Sequence, residues 1–213
     1  MPSTDIIRSH LVATGQAEDE AAAWIARMPA DYCATFGLDT IRDHIDAFRA
    51  FSAESPVSIT AVQAEAPYAE LHILSPDYTG MLATVAGSLT GLGVDIHSGD
   101  TYTLGARPAP AVRKGPIARH RLRASEKPPL QDRKLMVARL RVTCVESLTS
   151  SRETVFAVLG DRLRKFIAWR EADKREEVRS ALNHAVADRL SLSRPSRLAA
   201  LSPVELDIDD ESD

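Results

Sequence analysis

The chain has 213 residues, 44% hydrophobic and 26% charged, with a formal net charge of −4. At roughly 150 residues per domain it holds one compact domain with attachments, which excludes a large multidomain machine and a wholly disordered chain. The acidic balance argues against bulk attraction to nucleic acid or an anionic membrane, yet residues 105–134 carry nine Lys or Arg against two acids, so that stretch is +7 and the remainder −11.

Five Phe, four Tyr and two Trp are few for this length, so a core mainly of Ala, Leu, Val and Ile is expected. Ser3 or Thr4 is placed to cap a first helix that stops near Gly15. An Ala-rich helix over 17–28 ends at Pro29, and Thr40 with Asp43 has capping-box spacing at the start of a third. That third helix carries Ile41, Ile45, Phe48 and Phe51 on one stripe, with His44 beside them. Three short helices within residues 1–55 bury too little to stand alone, so they need a partner surface.

From Val57 the period changes to two. Val57, Ile59 and Ala61, then Ala69, Leu71 and Ile73, predict two strands about the turn-prone Ala66 and Pro67. A loop over 75–80 leads into a helix with Leu82, Val85, Ala86, Leu89 and Leu92 on one face, closed by Gly91 and Gly93, and 94–103 reads as another strand. The basic stretch 105–134 holds five prolines and little bulky apolar surface, which predicts an excursion between two strands. Met136, Ala138, Leu140, Val142 and Cys144 then alternate with Arg139, Arg141 and Thr143, the pattern of a half-buried strand.

Ser150 with Glu153 has the spacing to open a long helix carrying Val155, Phe156, Leu159, Leu163, Phe166 and Ile167, weakened at Gly160. A further helix over 174–190 carries Val178, Leu182, Val186 and Leu190. The tail 203–213 has six acids and no base around Val204, Leu206 and Ile208, and reads either as a strand or as a solvated end. The order β-α-β-β-α, with an extra strand at Val57 or Val204, predicts an α+β, ferredoxin-like βαββα(β) sandwich with two helices on one face of an antiparallel sheet. The expected organisation is an N-terminal helical segment (1–55), a sheet domain (56–170) containing the 105–134 insert, and a C-terminal helix with acidic tail (171–213).

Cys33 and Cys144 are too few for a disulfide framework and lack metal-ligand spacing, and the first residues have no apolar core of signal-peptide length. A reduced, cytoplasmic setting is expected. No run approaches the ~20 apolar residues that cross a bilayer. Asp43 with His44, and His184 with Asp188, are isolated pairs, and no Ser, His and Asp grouping carries an interpretable motif. No catalytic residue, metal ligand or cofactor is therefore assigned; His44 is expected at a packing interface, and Cys144 as a buried thiol.

Residues 68–96 combine a strand, Asp77-x-x-Gly80-Met81-Leu82, an apolar helix, and Leu92-Gly93-x-x-Ile96 leading into a strand. This run resembles the ACT domain, a small amino-acid-sensing module of ferredoxin-like fold, with Thr79 where that family usually has Pro. Residues 28–48, and 194–198 followed by 203–213, are similar to the segments that flank the first ACT domain in bifunctional PII uridylyltransferases, bacterial nitrogen sensors responsive to glutamine. The Gly-Ser and Asp-x-Asp pattern of nucleotidyl transfer and the clustered His-Asp ligands of the removal domain are missing from the sequence. The resemblance thus implies a non-catalytic regulatory module.

Backbone N–H groups at the start of the helix after Asp77, and close approach at Gly80, suit a carboxylate; the plainer alternative is a turn in which Asp77 caps the helix. The resemblance implies a small amino acid, glutamine above all, held by Asp77, Thr79, Gly80, Met81 and Leu82. It places Asp95 and Ile96 across a junction with a second copy, Asp95 meeting the ammonium; Asp95 reads equally as a strand-edge charge. A homodimer and a protein partner of the nitrogen-regulation type follow. Two alternatives stay open: docking of an acidic partner on the basic insert, whose lack of aromatics disfavours nucleic acid, and a truncated uridylyltransferase fragment.

Overall fold

The computed structural model describes residues 2–64, 66–107, 128–144 and 152–192. Four helices come first: α1 (Thr4–Ala13), α2 (Glu18–Ile25), α3 (Ala30–Thr35) and α4 (Leu38–Arg49). β1 (Ser58–Gln63), β2 (Ala69–Pro76), α5 (Met81–Gly91), β3 (Val94–Leu104), a short 3-10 helix (Leu130–Asp132), β4 (Leu135–Cys144), α6 (Arg152–Glu171) and α7 (Arg175–Leu192) follow. The architecture is mixed α+β, with a four-stranded antiparallel sheet and seven α-helices among the described residues. None of these helices is long and apolar enough to cross a membrane.

Ser3 caps α1, its hydroxyl accepting from the Ile6 N–H at 3.4 Å. α2 has no side-chain cap; Glu18, Asp19 and Glu20 in its first turn complement the helix dipole instead. Two local expectations change. α3, six residues between Pro29 and Phe36, is too short to show a periodic stripe and was not anticipated. α4 begins after Gly37, whose carbonyl accepts from the Ile41 N–H, so Thr40 and Asp43 lie inside the helix and not at its start.

The sheet order is β1-β2-β4-β3. β2 pairs with β4 in the register Leu71 to Leu140 and Ile73 to Ala138, and β3 with β4 through Thr101 to Ala138 and Tyr102 to Val137. The register slips between Ile96 and Ser98, leaving His97 as a bulge. Gly99 lies in close approach to β4: an added Cβ would stand 2.4 Å from Leu140 Cδ2 and 3.0 Å from the Arg139 carbonyl oxygen. β1 fills the edge beside β2 from the N-terminal side. The alternative strand at Val204 lies outside the described residues, and no described strand pairs with the far edge of β3.

Alternation divides the sheet's side chains between two cores. On one face Leu71, Ile73, Ala138, Leu140 and Val142 meet α5 and α6 through Val85, Leu89, Leu159 and Leu163, an aliphatic core as expected. α7 lies over α5, with Leu182 against Gly87. On the other face, at one end only, Leu74, Val137, Tyr102 and Leu104 pack on α1–α4. Composition misled on this second core: Trp24, Tyr32, Phe36, Phe48, Phe51 and Tyr102 all lie in it, over half of the chain's aromatic residues.

Arg27, just past α2, joins this core to the roots of the basic insert. Its guanidinium donates to the carbonyls of Gly105 (2.6 Å), Gln131 (2.8 Å) and Arg133 (2.7 Å), and lies 4.4 Å from the centre of the Trp24 ring. The Gly105 N–H returns a bond to the Arg27 carbonyl. Burial lowers the Arg27 pKa to about 10, so it stays charged at neutral pH. Residues 108–127 of the insert lie outside the described residues.

Candidate functional site

The loop between β2 and α5 is held from two sides. Against the sheet, the Asp77 N–H donates to the Lys134 carbonyl at 2.9 Å, and its carboxylate accepts from the Thr103 hydroxyl at 3.2 Å. From α6, Arg170 donates to the Thr79 carbonyl at 2.6 Å. The Tyr78 hydroxyl donates to Glu171, which also pairs with Arg133 at 2.6 Å. Burial, then the Glu171 carboxylate, raises the Tyr78 pKa.

Asp77 does not cap α5, which corrects the plainer of the two readings of this loop. The N-cap is Gly80, in the left-handed region at φ 84°, and no side chain caps the helix. Nothing lies within 4 Å of where a Gly80 Cβ would stand, so the surface is open there. Of the neighbouring candidates, Thr79 and Leu82 are exposed while Met81 is buried in the aliphatic core.

Asp95 and Ile96 lie exposed on β3, with Asp95 opposite Thr143 on β4. Thr103, which holds Asp77, is opposite Met136 at the other end of the same strand. Eight residues at ~3.3 Å each separate the two groups by about 26 Å. A single chain therefore does not bring the seven candidate residues together: Asp77, Thr79, Gly80, Met81 and Leu82 sit at one end of β3, Asp95 and Ile96 at the other.

A second polar constellation was not anticipated. Tyr32 on α3, His44 on α4, His72 and Glu70 on β2, and Arg139 on β4 form one hydrogen-bonded chain. Tyr32 Oη to His44 Nδ1 is 2.9 Å, His44 Nε2 to His72 Nδ1 3.2 Å, His72 Nε2 to Glu70 Oε1 2.9 Å, and Arg139 to Glu70 Oε2 3.0 Å. An ionised Glu70 only accepts, which assigns the protons down the chain. With both imidazoles neutral, His72 donates from Nε2 and accepts at Nδ1, His44 donates from Nε2 and accepts at Nδ1, and Tyr32 donates. Phe36 sets its ring edge-on to both imidazoles, 4.9 and 5.3 Å between centres.

Burial, then the neighbouring His72, lowers the His44 pKa to about 4. Burial acts to raise Glu70, but bonds and charge from Arg139 and His72 outweigh it and hold the carboxyl below its ordinary range. His44 is at a packing interface, as expected from its stripe on α4. His72 and Glu70 gave no signal because they fall on the polar half of the β2 alternation.

Among the described residues no group of three or more His, Cys, Asp and Glu is placed to hold a metal ion. His184 and Asp188 form an exposed pair at 3.3 Å. Cys33 is buried, and burial, then nearby Asp31, raises its pKa. The Cys144 side chain and the acidic tail lie outside the described residues. No protein-family model matches the chain, and no curated protein matches it.

Proposed function

We propose that the chain is a non-catalytic regulatory module of the ACT type, a cytoplasmic sensor of a small amino acid such as glutamine, which works as a homodimer through the open edge of β3. The observation that carries this is the division of the candidate residues between the two ends of that strand. Antiparallel pairing of two β3 edges brings the end of each copy that carries Asp95 and Ile96 to the end of the other that carries Thr103 and Asp77. Two sites are completed at once, each from both copies.

The backbone supports the same ligand. Gly80 opens the surface at the start of α5, where N–H groups and the helix dipole favour a carboxylate, and Asp95 of the second copy meets the ammonium. The order βαββα, with α5 and α6 on one face, supports the ferredoxin-like sandwich of that family, β1 supplying the strand beside β2. A ligand bound between copies stabilises the pair by about 2.7 kcal/mol at a hundred times its Kd. The paired form then signals to a protein partner of the nitrogen-regulation type.

Sedimentation and calorimetry with glutamine test the proposal. Millimolar glutamine should tighten self-association, and Gly80→Val or Asp95→Asn should each weaken glutamine binding at least tenfold, about 1.4 kcal/mol. A chain that stays monomeric and gives no heat with any amino acid would end this reading. Arg27, by holding Gly105 against Gln131 and Arg133, favours a second reading in which the basic insert presents its charges to an acidic protein. Partner capture that falls steeply with salt and is lost when Arg119, Arg121 and Arg123 are neutralised would support that reading.

A further inference from the structure

On the sheet face opposite α5 and α6, the helices α1–α4 cover only the half towards Leu104 and Leu135. The other half is polar. In register, Glu70 on β2 faces Arg141 on β4, and Asp100 on β3 faces Arg139 on β4. A cavity of about 320 Å³ opens here, with Glu70, Ser98, Asp100, Arg139 and Arg141 in its wall. A cleft of about 240 Å³ beneath α4 adjoins it and shares Glu70 and Arg139.

The four charges of the larger cavity are not equally engaged. Arg139 is paired with Glu70 at 3.0 Å. Arg141 lies 3.9 Å from the centre of the Tyr68 ring, which holds its guanidinium in place, and no hydrogen bond engages its N–H edge among the described residues. Neither Arg141 nor Asp100 makes an ion pair among the described residues. Two guanidiniums and two carboxylates sum to zero, so a monoanion meets two carboxylates and a monocation two guanidiniums. A zwitterion with its charges a few ångströms apart matches both signs.

We propose that this cavity binds a small zwitterion of the α-amino acid class, its carboxylate on Arg141 and Arg139 and its ammonium on Asp100. The site lies on the opposite sheet face from the aliphatic core and is independent of the Asp77 loop. It also has an outlet. A carboxylate that draws Arg139 away loosens its bond to Glu70, and Glu70 ends the chain that runs through His72 and His44 to Tyr32 on α3. Occupancy of the sheet face is thereby transmitted to the N-terminal helices.

The test is an amide-resolved NMR titration of the full chain with glycine and with L-glutamine, beside acetate and methylammonium as half-molecules. Saturable shifts at Ser98, Gly99 and Asp100 are expected with the amino acids. Each half-molecule should bind at least tenfold more weakly. Asp100→Asn and Arg141→Gln, both at exposed positions, should abolish the shifts, and Gly80→Val should leave them. Shifts confined to Asp77–Leu82, the absence of saturable shifts at millimolar amino acid, or acetate binding as tightly as glycine would each overturn the proposal; the half-molecule comparison needs no variant.

Discussion

His44 ties one side chain to the stability of the whole chain. Its folded pKa of about 4 lies below the ordinary 6.5 because burial disfavours the imidazolium, with Tyr32, His72 and Asp43 around it and Glu70 and Arg139 beyond. The unfolded chain takes up this proton as pH falls through the ordinary value, while the folded chain resists until about 4. Stability from this group is therefore complete above the unfolded pKa, is lost on acidification, and levels off below the folded one. The loss amounts to about 2 kcal/mol between pH ~7 and ~5. Urea unfolding should show that decline in the wild type and a flatter one in His44→Gln; parallel declines would refute the assignment. His44 was readable as a packing residue because Ile41, Ile45 and Phe48 share its stripe. Its bond to His72 was not, since those two residues are 28 positions apart.

At the scale of elements, a periodic stripe states which side of a helix is apolar and not how far its partner extends. Leu163 on α6 is 0% exposed and Leu190 on α7 61%, although both fall on stripes visible in the sequence. Leu163→Ala should cost about 2–4 kcal/mol by leaving a cavity, and Leu190→Ala less than about 0.5 kcal/mol. Urea midpoints at unchanged slope measure both. The difference follows from geometry: Leu182 and Ala185 lie against α5 at Gly87 and Gly91, but α5 stops at Gly91, so the last turn of α7 runs past its support. The start of α4 teaches a similar lesson. Thr40 and Asp43 have the spacing of a cap, yet Gly37 takes that role because α3 ends just before it.

At the scale of the molecule, β2 and β4 serve two cores at once, Leu71 and Ile73 facing α5 and α6 while Leu74 and Val137 face α1–α4. Neither core keeps its floor if the sheet is lost, so both should melt together. Phe48→Ala, at a fully buried position of the aromatic core, should cost about 3–5 kcal/mol and lower a single transition. Trp24 fluorescence, read in a Trp169→Phe background, should coincide with far-UV circular dichroism throughout. An earlier change at Trp24 alone would show that the N-terminal helices unfold as a separate unit.

The order β2, α5, β3, β4, α6 could be read from residues alone, because a period of two or of 3.6 depends only on near neighbours in the chain. Gly80 is legible in the sequence only as a point of close backbone approach, and its left-handed φ comes from the structure. The side of the sheet taken by α1–α4 and the line of Tyr32, His44, His72, Glu70 and Arg139 depend on groups more than a hundred positions apart. Those choices were settled by which faces could be buried together and which polar groups could be satisfied once buried, and no local period encodes that competition.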